Sequence, residues 1–361
     1  MSKLTELNWY GTFSSGQGYS GSSEQTALAL EKRGIDVRVV TVNKVPRKNV
    51  SKSGRELQKK PFKLCDVGIC HDFPAAFGSI QHHKFRVGYT MFETDKLPVG
   101  FSDWTGAFNT AAESINTQLD LLIVPCHHNV GMFRDNGVTI PIEVAPNAVH
   151  PTAFPYLKRP ERDTFTFLQM ATLTLRKNPG NVITAFAQLF RDMPEVKLVL
   201  KTQSGTLGHL DLSNLGNIEI IDELVNAKRM KEILFDADCF VFPSRGEGFG
   251  MPPIEAMATG LPTIIADNTG MRDYSDDRYN YTVKAGHKSP ALRYPQKWGD
   301  VGNWYESDFD DLKAKMLYVF EHQAEAKAKG EAASRWVHDI WTYQSVADKF
   351  AEAIEKHYNN H

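Results

Sequence analysis

Short apolar runs alternate with helical patterns along almost the whole of this chain, and that alternation leaves few folds open. Val37-Arg38-Val39-Val40-Thr41-Val42, Phe85-Arg86-Val87-Gly88-Tyr89, Leu121-Leu122-Ile123-Val124 and Ile142-Glu143-Val144-Ala145 read as strands of a first half, with Leu7-Asn8-Trp9-Tyr10 before them. Phe165 to Gln169, Val196 to Leu200, Ile218 to Ile221, Cys239 to Phe242 and Pro262 to Ala266 read as strands of a second. Strands separated by helices run parallel, in sheets covered on both faces. The proline-rich stretch Pro146 to Pro160 is the natural linker. The pattern therefore predicts an α/β protein of two doubly wound parallel-sheet halves. Ligands bind at the carboxyl ends of such strands, which puts the expected site in a crevice between the halves.

The bulk composition fits a globular chain of 361 residues, 42% hydrophobic and 23% charged, with a net charge of −2. No apolar run approaches the roughly 20 residues that span a bilayer. Met1 to Asn8 lacks the apolar core of a signal peptide. Cys65, Cys70, Cys126 and Cys239 are scattered without a CxxC, and three lie in or beside apolar runs. Buried free thiols and a cytoplasmic location are the expectation.

The richest motif is Pro243-Ser244-Arg245-Gly246-Glu247-Gly248-Phe249-Gly250-Met251-Pro252-Pro253-Ile254-Glu255. It reads as strand end, glycine loop and helix start, with Glu255 expected in the first helical turn. A helix N-terminus beside a glycine loop suits a phosphate. Glu247 and Glu255 could hold different parts of one extended, hydroxyl-rich ligand. A common glycine turn followed by a favourable acidic cap is the plain structural alternative.

Other segments could join such a site. Gly11 to Gly21 is a glycine loop, followed by an expected helix Ser22 to Arg33 with Ser22 and Ser23 as caps. Gly16, Gly18 and Gly21 fit a GxGxxG spacing, but Val42-Asn43-Lys44 offers no acid at the next strand end, which disfavours a dinucleotide-binding dehydrogenase. Arg176 and Lys177 stand just before a helix expected from about Asn181, and two adjacent cations there suit a diphosphate. Lys201 ends a strand. His71, Asp72 and Glu93 follow apolar or aromatic runs of the first half. For each of these a solvated loop or a hydrogen-bonded structural residue is the alternative.

Lys44 to Lys63 holds eight cations, Lys44, Arg47, Lys48, Lys52, Arg55, Lys59, Lys60 and Lys63, against the single acid Glu56. Such a run favours an anionic partner, a membrane surface or nucleic acid. Asp308-Phe309-Asp310-Asp311 contains a DxD but reads as an acidic helix start. The doublets His82-His83 and His127-His128 have no second cluster at ligand spacing, so no metal is expected. The C-terminus reads as one amphipathic segment from Leu312 to Gly330 and a final helix capped by Thr342.

In this order the motifs resemble those of the retaining nucleotide-sugar glycosyltransferases of GT-B fold, in particular glycosyltransferase family 4. Gly16-Gln17-Gly18-Tyr19-Ser20 resembles the family's N-terminal glycine loop, and Gly88 to Pro98 is similar to a segment of one branch. Pro146 to Phe154 resembles the interdomain segment, Arg176-Lys177 the basic pair, and Glu247 to Glu255 the E-x7-E motif. Trp341 to Ala347 resembles the start of the final helix.

The resemblance implies two Rossmann-like domains facing a crevice: residues 1–155 on the acceptor side, 156–335 for the donor, and a helix over 336–361 crossing back. It implies that Glu247 holds the donor sugar, Glu255 the ribose, and Lys177 with Arg176 the leaving diphosphate. Backbone amides near Gly248, Phe249 and Gly250 would assist, and Gly16 and Gly18 would pack against donor or acceptor. Where many members carry a further arginine, Ala171-Thr172 stands here, so that one phosphate cation is either missing or supplied by Lys201. Where many carry a histidine, Glu93 stands, with His71 the other candidate.

The implied activity is transfer of a sugar from a UDP- or GDP-sugar to a hydroxyl with retention, without metal or cofactor. The acceptor could be anionic: phospholipid-linked, or a hydroxymethylated DNA base. Two alternatives share the architecture, a sugar-nucleotide epimerase and a non-catalytic sugar-nucleotide-binding protein. The basic segment adds a peripheral membrane location to the cytoplasmic one.

Overall fold

The computed structural model describes residues 3–14, 18–43, 46, 49–102, 106–203, 216–292 and 294–360. They divide into two compact units. The first comprises Met1–Ala148, Tyr294–Gly302 and Trp341–His361, the second Val149–Arg293 and Asn303–Ile340.

The first unit is built on six strands: β1 (Glu6–Gly11), β2 (Asp36–Thr41), β3 (Val67–His71), β4 (Phe85–Tyr89), β5 (Leu121–Val124) and β6 (Ile142–Val144). They pair in parallel in the order β2-β1-β3-β4-β5-β6. Leu7, Trp9, Val67, Ile69, Phe85, Val87, Leu121 and Ile123 form the sheet side of its core, and Ala27, Leu30, Phe350 and Ile354 the helix side. The last two belong to the final helix, Tyr343–Tyr358, whose cap Thr342 accepts from the Ser345 N–H. β3 has no strand-like alternation to announce it, because all five of its residues are buried.

The second unit carries β7 (Phe165–Met170), β8 (Val196–Thr202), β9 (Ile218–Asp222), β10 (Cys239–Phe242), β11 (Thr263–Ala266) and β12 (Tyr281–Val283). These also pair in parallel, in the order β12-β11-β10-β7-β8-β9. The order is the doubly wound one, with the topological switch point between β7 and β10. Helix Pro179–Phe190 packs Val182, Phe186 and Phe190 onto Phe167 and Leu198. A separate antiparallel ribbon joins β13 (Ala285–Pro290) to β14 (Asn303–Ser307).

Several local expectations need correction. The first helix runs over Gly18–Lys32, so Ser22 and Ser23 are interior positions and not caps. Ser23 Oγ accepts from the Trp9 indole at 3.0 Å, and Ser22 Oγ donates to Asn147. The helix expected from Asn181 begins at Pro179, where proline fits the first turn. Leu312 to Gly330 is not one helix: Phe309–Glu321 and Gln323–Ile340 are separate.

Candidate active site

The carboxyl ends of β7 and β10 bring the two motifs of the second half together. After β7 the chain makes a 3-10 turn, Leu175–Lys177, which ends at Asn178 with φ 56°. After β10 comes the loop that leads into helix Met251–Ala258 through Gly250, whose φ is 92°. Only glycine takes that angle without strain. Thr269, with φ 46°, borders the same loop. Asn178 and Thr269 are the two non-glycine residues of positive φ among those described, and such conformations collect where function demands them.

Glu247 is the centre of the cluster and is 6% exposed. Its Oε1 lies 2.5 Å from Lys177 Nζ and 3.2 Å from Arg176 Nη1, and accepts from Ser244 Oγ at 2.6 Å. Burial alone would push this carboxyl up, but Lys177 and Arg176 outweigh it and hold the group below the ordinary glutamate range. Lys177 Nζ also stands 5.0 Å over the Phe242 ring.

The backbone around Glu247 is held from several sides. Its N–H donates to Thr269 Oγ1 at 2.9 Å, and its carbonyl accepts from the Gly270 N–H at 3.0 Å. Arg176 Nη1 donates to the Gly246 carbonyl at 2.5 Å. Asn268 Nδ2 donates to the Ser244 carbonyl at 2.9 Å, and the Tyr274 hydroxyl to that of Gly250 at 2.7 Å. Gly270 is glycine for contact reasons: a Cβ there would lie 2.6 Å from the Gly248 carbonyl oxygen.

Glu255 lies one residue beyond the first turn of helix Met251–Ala258 and not within it. It is half-buried, and its carboxylate has no hydrogen-bond or ion-pair partner among the described residues. Burial pushes its pKa up to about 7. Pro252 and Pro253 remove two of the first-turn N–H groups of this helix.

Lys201, at the end of β8, is 3% exposed and its ammonium donates to the Thr202 and Glu223 carbonyls at 2.5 and 2.6 Å. Burial lowers its pKa. Sequence reading missed Ser244 as a partner of Glu247, and Asn268, Thr269, Gly270 and Tyr274 as its supports. A threonine held at positive φ leaves no sequence signature.

The remaining candidates lie in the first unit. His71 ends β3, is 1% exposed, and its ring nitrogens have no partner among the described residues. It packs against Tyr89 and Tyr19, with ring centroids 4.4 and 4.6 Å away, and burial pushes its pKa down to about 3. Asp72 accepts from the Phe73 N–H at 2.7 Å. Glu93 is half-buried in the loop after β4. Gly18 opens the first helix, where a Cβ would meet nothing within 4 Å. Gly16 lies outside the described residues.

Of the basic segment, Lys44, Arg47 and Lys48 lie outside the described residues. Lys59 pairs with Glu56, Lys60 with Glu31 and Asp36, and Lys63 with Glu6. The DxD is a helix start: Asp308 caps helix Phe309–Glu321, accepting from the Asp311 N–H at 2.9 Å. No helix among the described residues is long and apolar enough to cross a membrane.

Comparison with known proteins bears on the fold and on the second half of the chain. Residues 157–292 match the family model of glycosyl transferases group 1. The chain is 27% identical to the D-inositol 3-phosphate glycosyltransferase of Paenarthrobacter aurescens over 192 residues, 48% of this chain and 44% of that enzyme. It spans less than half the length of this and other curated relatives that it matches. The fold is shared with sucrose-phosphate synthase from Thermosynechococcus elongatus, at TM-score 0.70 and 14% identity, over 99% of this chain and 100% of that one. It is shared as well with Anabaena HepE in complex with UDP-glucose, at TM-score 0.66 and 12% identity, over 97% and 99% of the two chains. The chain therefore has the GT-B fold of glycosyltransferases, and its residues 157–292 match group 1 of those enzymes.

Proposed function

We propose that the chain transfers a glycosyl group from a nucleotide diphosphosugar to a hydroxyl acceptor, with retention at the anomeric carbon. One observation carries this reading: two carboxylates of one loop and helix stand in opposite states. Glu247 is charged and paired through its Oε1, and Glu255 is partly buried without a partner among the described residues. A buried carboxylate that lacks donors is costly, and ribose hydroxyls would relieve that cost at Glu255. Glu247 Oε2 would take hydroxyls of the donor sugar.

The same arrangement supplies the chemistry. Lys177 and Arg176 would neutralise the departing diphosphate, with amides near Gly248, Phe249 and Gly250. The leaving group is already good, so rate enhancement comes from positioning and charge stabilisation. Neither glutamate need act as a nucleophile, and the two cations can take the part of a metal. The match to group 1 glycosyl transferases and the fold shared with a UDP-glucose complex support a nucleotide-sugar donor.

Residues 1–155 would carry the acceptor side and 156–335 the donor site, with the final helix returning to the first unit. Gly16, Gly18, His71 and Glu93 would meet acceptor or sugar. Lys201 would act by shaping the end of β8, since its ammonium is committed to backbone carbonyls. An anionic acceptor finds support in the relative named for inositol 3-phosphate. It finds less in the basic segment, where Lys59, Lys60 and Lys63 are matched by acids of this chain.

The test is a panel of UDP-, GDP- and ADP-sugars, read by thermal stabilisation and by release of nucleoside diphosphate. One donor should stabilise the protein and release its diphosphate slowly without acceptor. Stabilisation should vanish in Glu255→Gln. A protein that binds none of them lacks the proposed activity. Turnover of the donor to an isomeric sugar nucleotide would instead identify an epimerase.

A further inference from the structure

Arg245 sits where three segments of the second unit meet. Its N–H donates to the Arg176 carbonyl at 2.7 Å, and its own carbonyl accepts from the Tyr305 N–H of β14 at 2.8 Å. Its Nε lies 2.6 Å from Glu306 Oε2, and its Nη1 donates to the Leu175 carbonyl. Glu306 is held in turn, because Ser289 Oγ of β13 donates to its Oε1 at 2.8 Å. Both side chains are largely enclosed, at 17% and 20% exposure.

These bonds have a geometric consequence. Lys177 and Glu247 belong to two different loops, and their contact requires a fixed spacing between them. Arg245 spans that spacing, since it belongs to the Glu247 loop and binds the backbone of the Leu175–Lys177 turn at two places. The guanidinium fork reaches Glu306 and Leu175 from adjacent nitrogens, which a lysine ammonium does not reproduce. The β13–β14 ribbon is a sheet of its own, and its Glu306 sets the direction of the fork.

We propose that Arg245 and Glu306 are positioning residues for the transfer step: the ribbon holds Arg245, and Arg245 holds the Glu247 loop in register with the Arg176–Lys177 turn. The inference rests on the glycosyl-transfer reading above. Neither side chain is assigned contact with the substrate. Their effect passes through Glu247 and Lys177, where a misplacement of about 1 Å can cost about a hundredfold in rate.

The experiment uses the full chain and whichever nucleotide sugar the panel identifies. Failure of the wild-type protein to bind or turn over any donor defeats the glycosyl-transfer reading itself. Given an active wild type, Glu306→Gln and Arg245→Gln should each lower kcat by about tenfold to a hundredfold with donor KM within about threefold. The double variant should lose no more than either single one, because the pair acts as a unit. Glu306→Asp should recover part of the rate, and Arg245→Lys should not. Unchanged kcat, a loss carried wholly by KM, or additive losses in the double variant would overturn the proposal. If a Gln variant is unfolded at the assay temperature, the Asp and Lys variants make the same comparison, and equal activity of those two overturns it.

Discussion

Lys177 Nζ lies 2.5 Å from Glu247 Oε1, although 70 positions separate the two residues in the chain. The pair is nearly enclosed, with side-chain exposures of 13% and 8%. Arg176 and Ser244 converge on the same oxygen. The ionised glutamate and its cations thus stabilise one another before any ligand arrives.

Removing either member should therefore act on rate and on stability. Lys177→Ala and Glu247→Ala are each expected to lower turnover by about two to four orders of magnitude. Lys177→Ala leaves Glu247 paired with Arg176, so its stability cost should stay below about 3 kcal/mol. Glu247→Ala leaves two neighbouring cations without their acid. Steady-state kinetics and urea unfolding check both, and near-normal turnover in either variant would remove the pair from the reaction.

The two glutamates should respond to pH with opposite sign. Glu247 has a lowered folded-state pKa, so its stabilising contribution is present above the ordinary glutamate pKa and lost as pH falls through the lower folded value. Glu255 has a folded-state pKa of about 7, so its ionisation destabilises the unliganded fold increasingly from the ordinary glutamate range up to about pH 7. Glu255→Gln should then stabilise the unliganded protein at pH 8 by about 1–3 kcal/mol and by little at pH 5. Unfolding curves at the two pH values decide the matter.

Donor affinity should follow the same ionisation. A carboxylate accepts two hydroxyl donors, whereas the protonated acid offers one donor of its own. Binding of an intact nucleotide sugar should strengthen as pH rises through about 7 and level off above it. Calorimetric titrations from pH 5.5 to 8.5 (about half a pH unit apart) would show the step, and Glu255→Gln should flatten it.

Gly270→Ala should damage the site without touching a charged group. Its Cβ would lie 2.6 Å from the Gly248 carbonyl oxygen and 2.7 Å from Phe249 Cα, so the loop carrying Glu247 must shift. Turnover should fall by about a hundredfold. Tyr274→Phe removes the hydroxyl that donates to the Gly250 carbonyl and should cost about 1 kcal/mol with a milder kinetic effect. Parallel kinetics and thermal melts of the two variants test this ranking.

Arg159 offers a contrast, a buried cation with a structural task. It is 7% exposed and donates to the carbonyls of Leu157, Leu234, Ala237 and Thr259. Burial lowers its pKa to about 10. Arg159→Ala would leave several buried carbonyls unsatisfied and should destabilise the protein by about 3–5 kcal/mol. Below the shifted melting temperature, kcat should remain near that of the wild type.

Much of this protein is determined by its sequence alone, because much of its physics is local. Alternating apolar runs and helical patterns demand parallel sheets, and the segments from Phe165 to Ala266 announce most of the second one. The glycine loop before Met251, the basic pair at Arg176, the cap at Thr342 and the acidic helix start at Asp308 to Asp311 are short-range features, legible from neighbouring residues. Strand β3, buried on both faces, and the ribbon β13–β14, outside both main sheets, escape such reading.

Only the tertiary structure decided which charges are spent and which are free. Lys60 and Lys63 read as members of a basic patch until the fold sets Glu31, Asp36 and Glu6 against them. Lys201 reads as a solvated strand end until the turn after β9 brings the Glu223 carbonyl to it. Glu247 and Glu255 look alike as letters. Their difference comes from partners far off in sequence: Lys177 reaches one, while burial without a donor surrounds the other. A carboxylate's charge state depends on the dielectric and the donors that the folded chain assembles around it, and no local pattern carries that information.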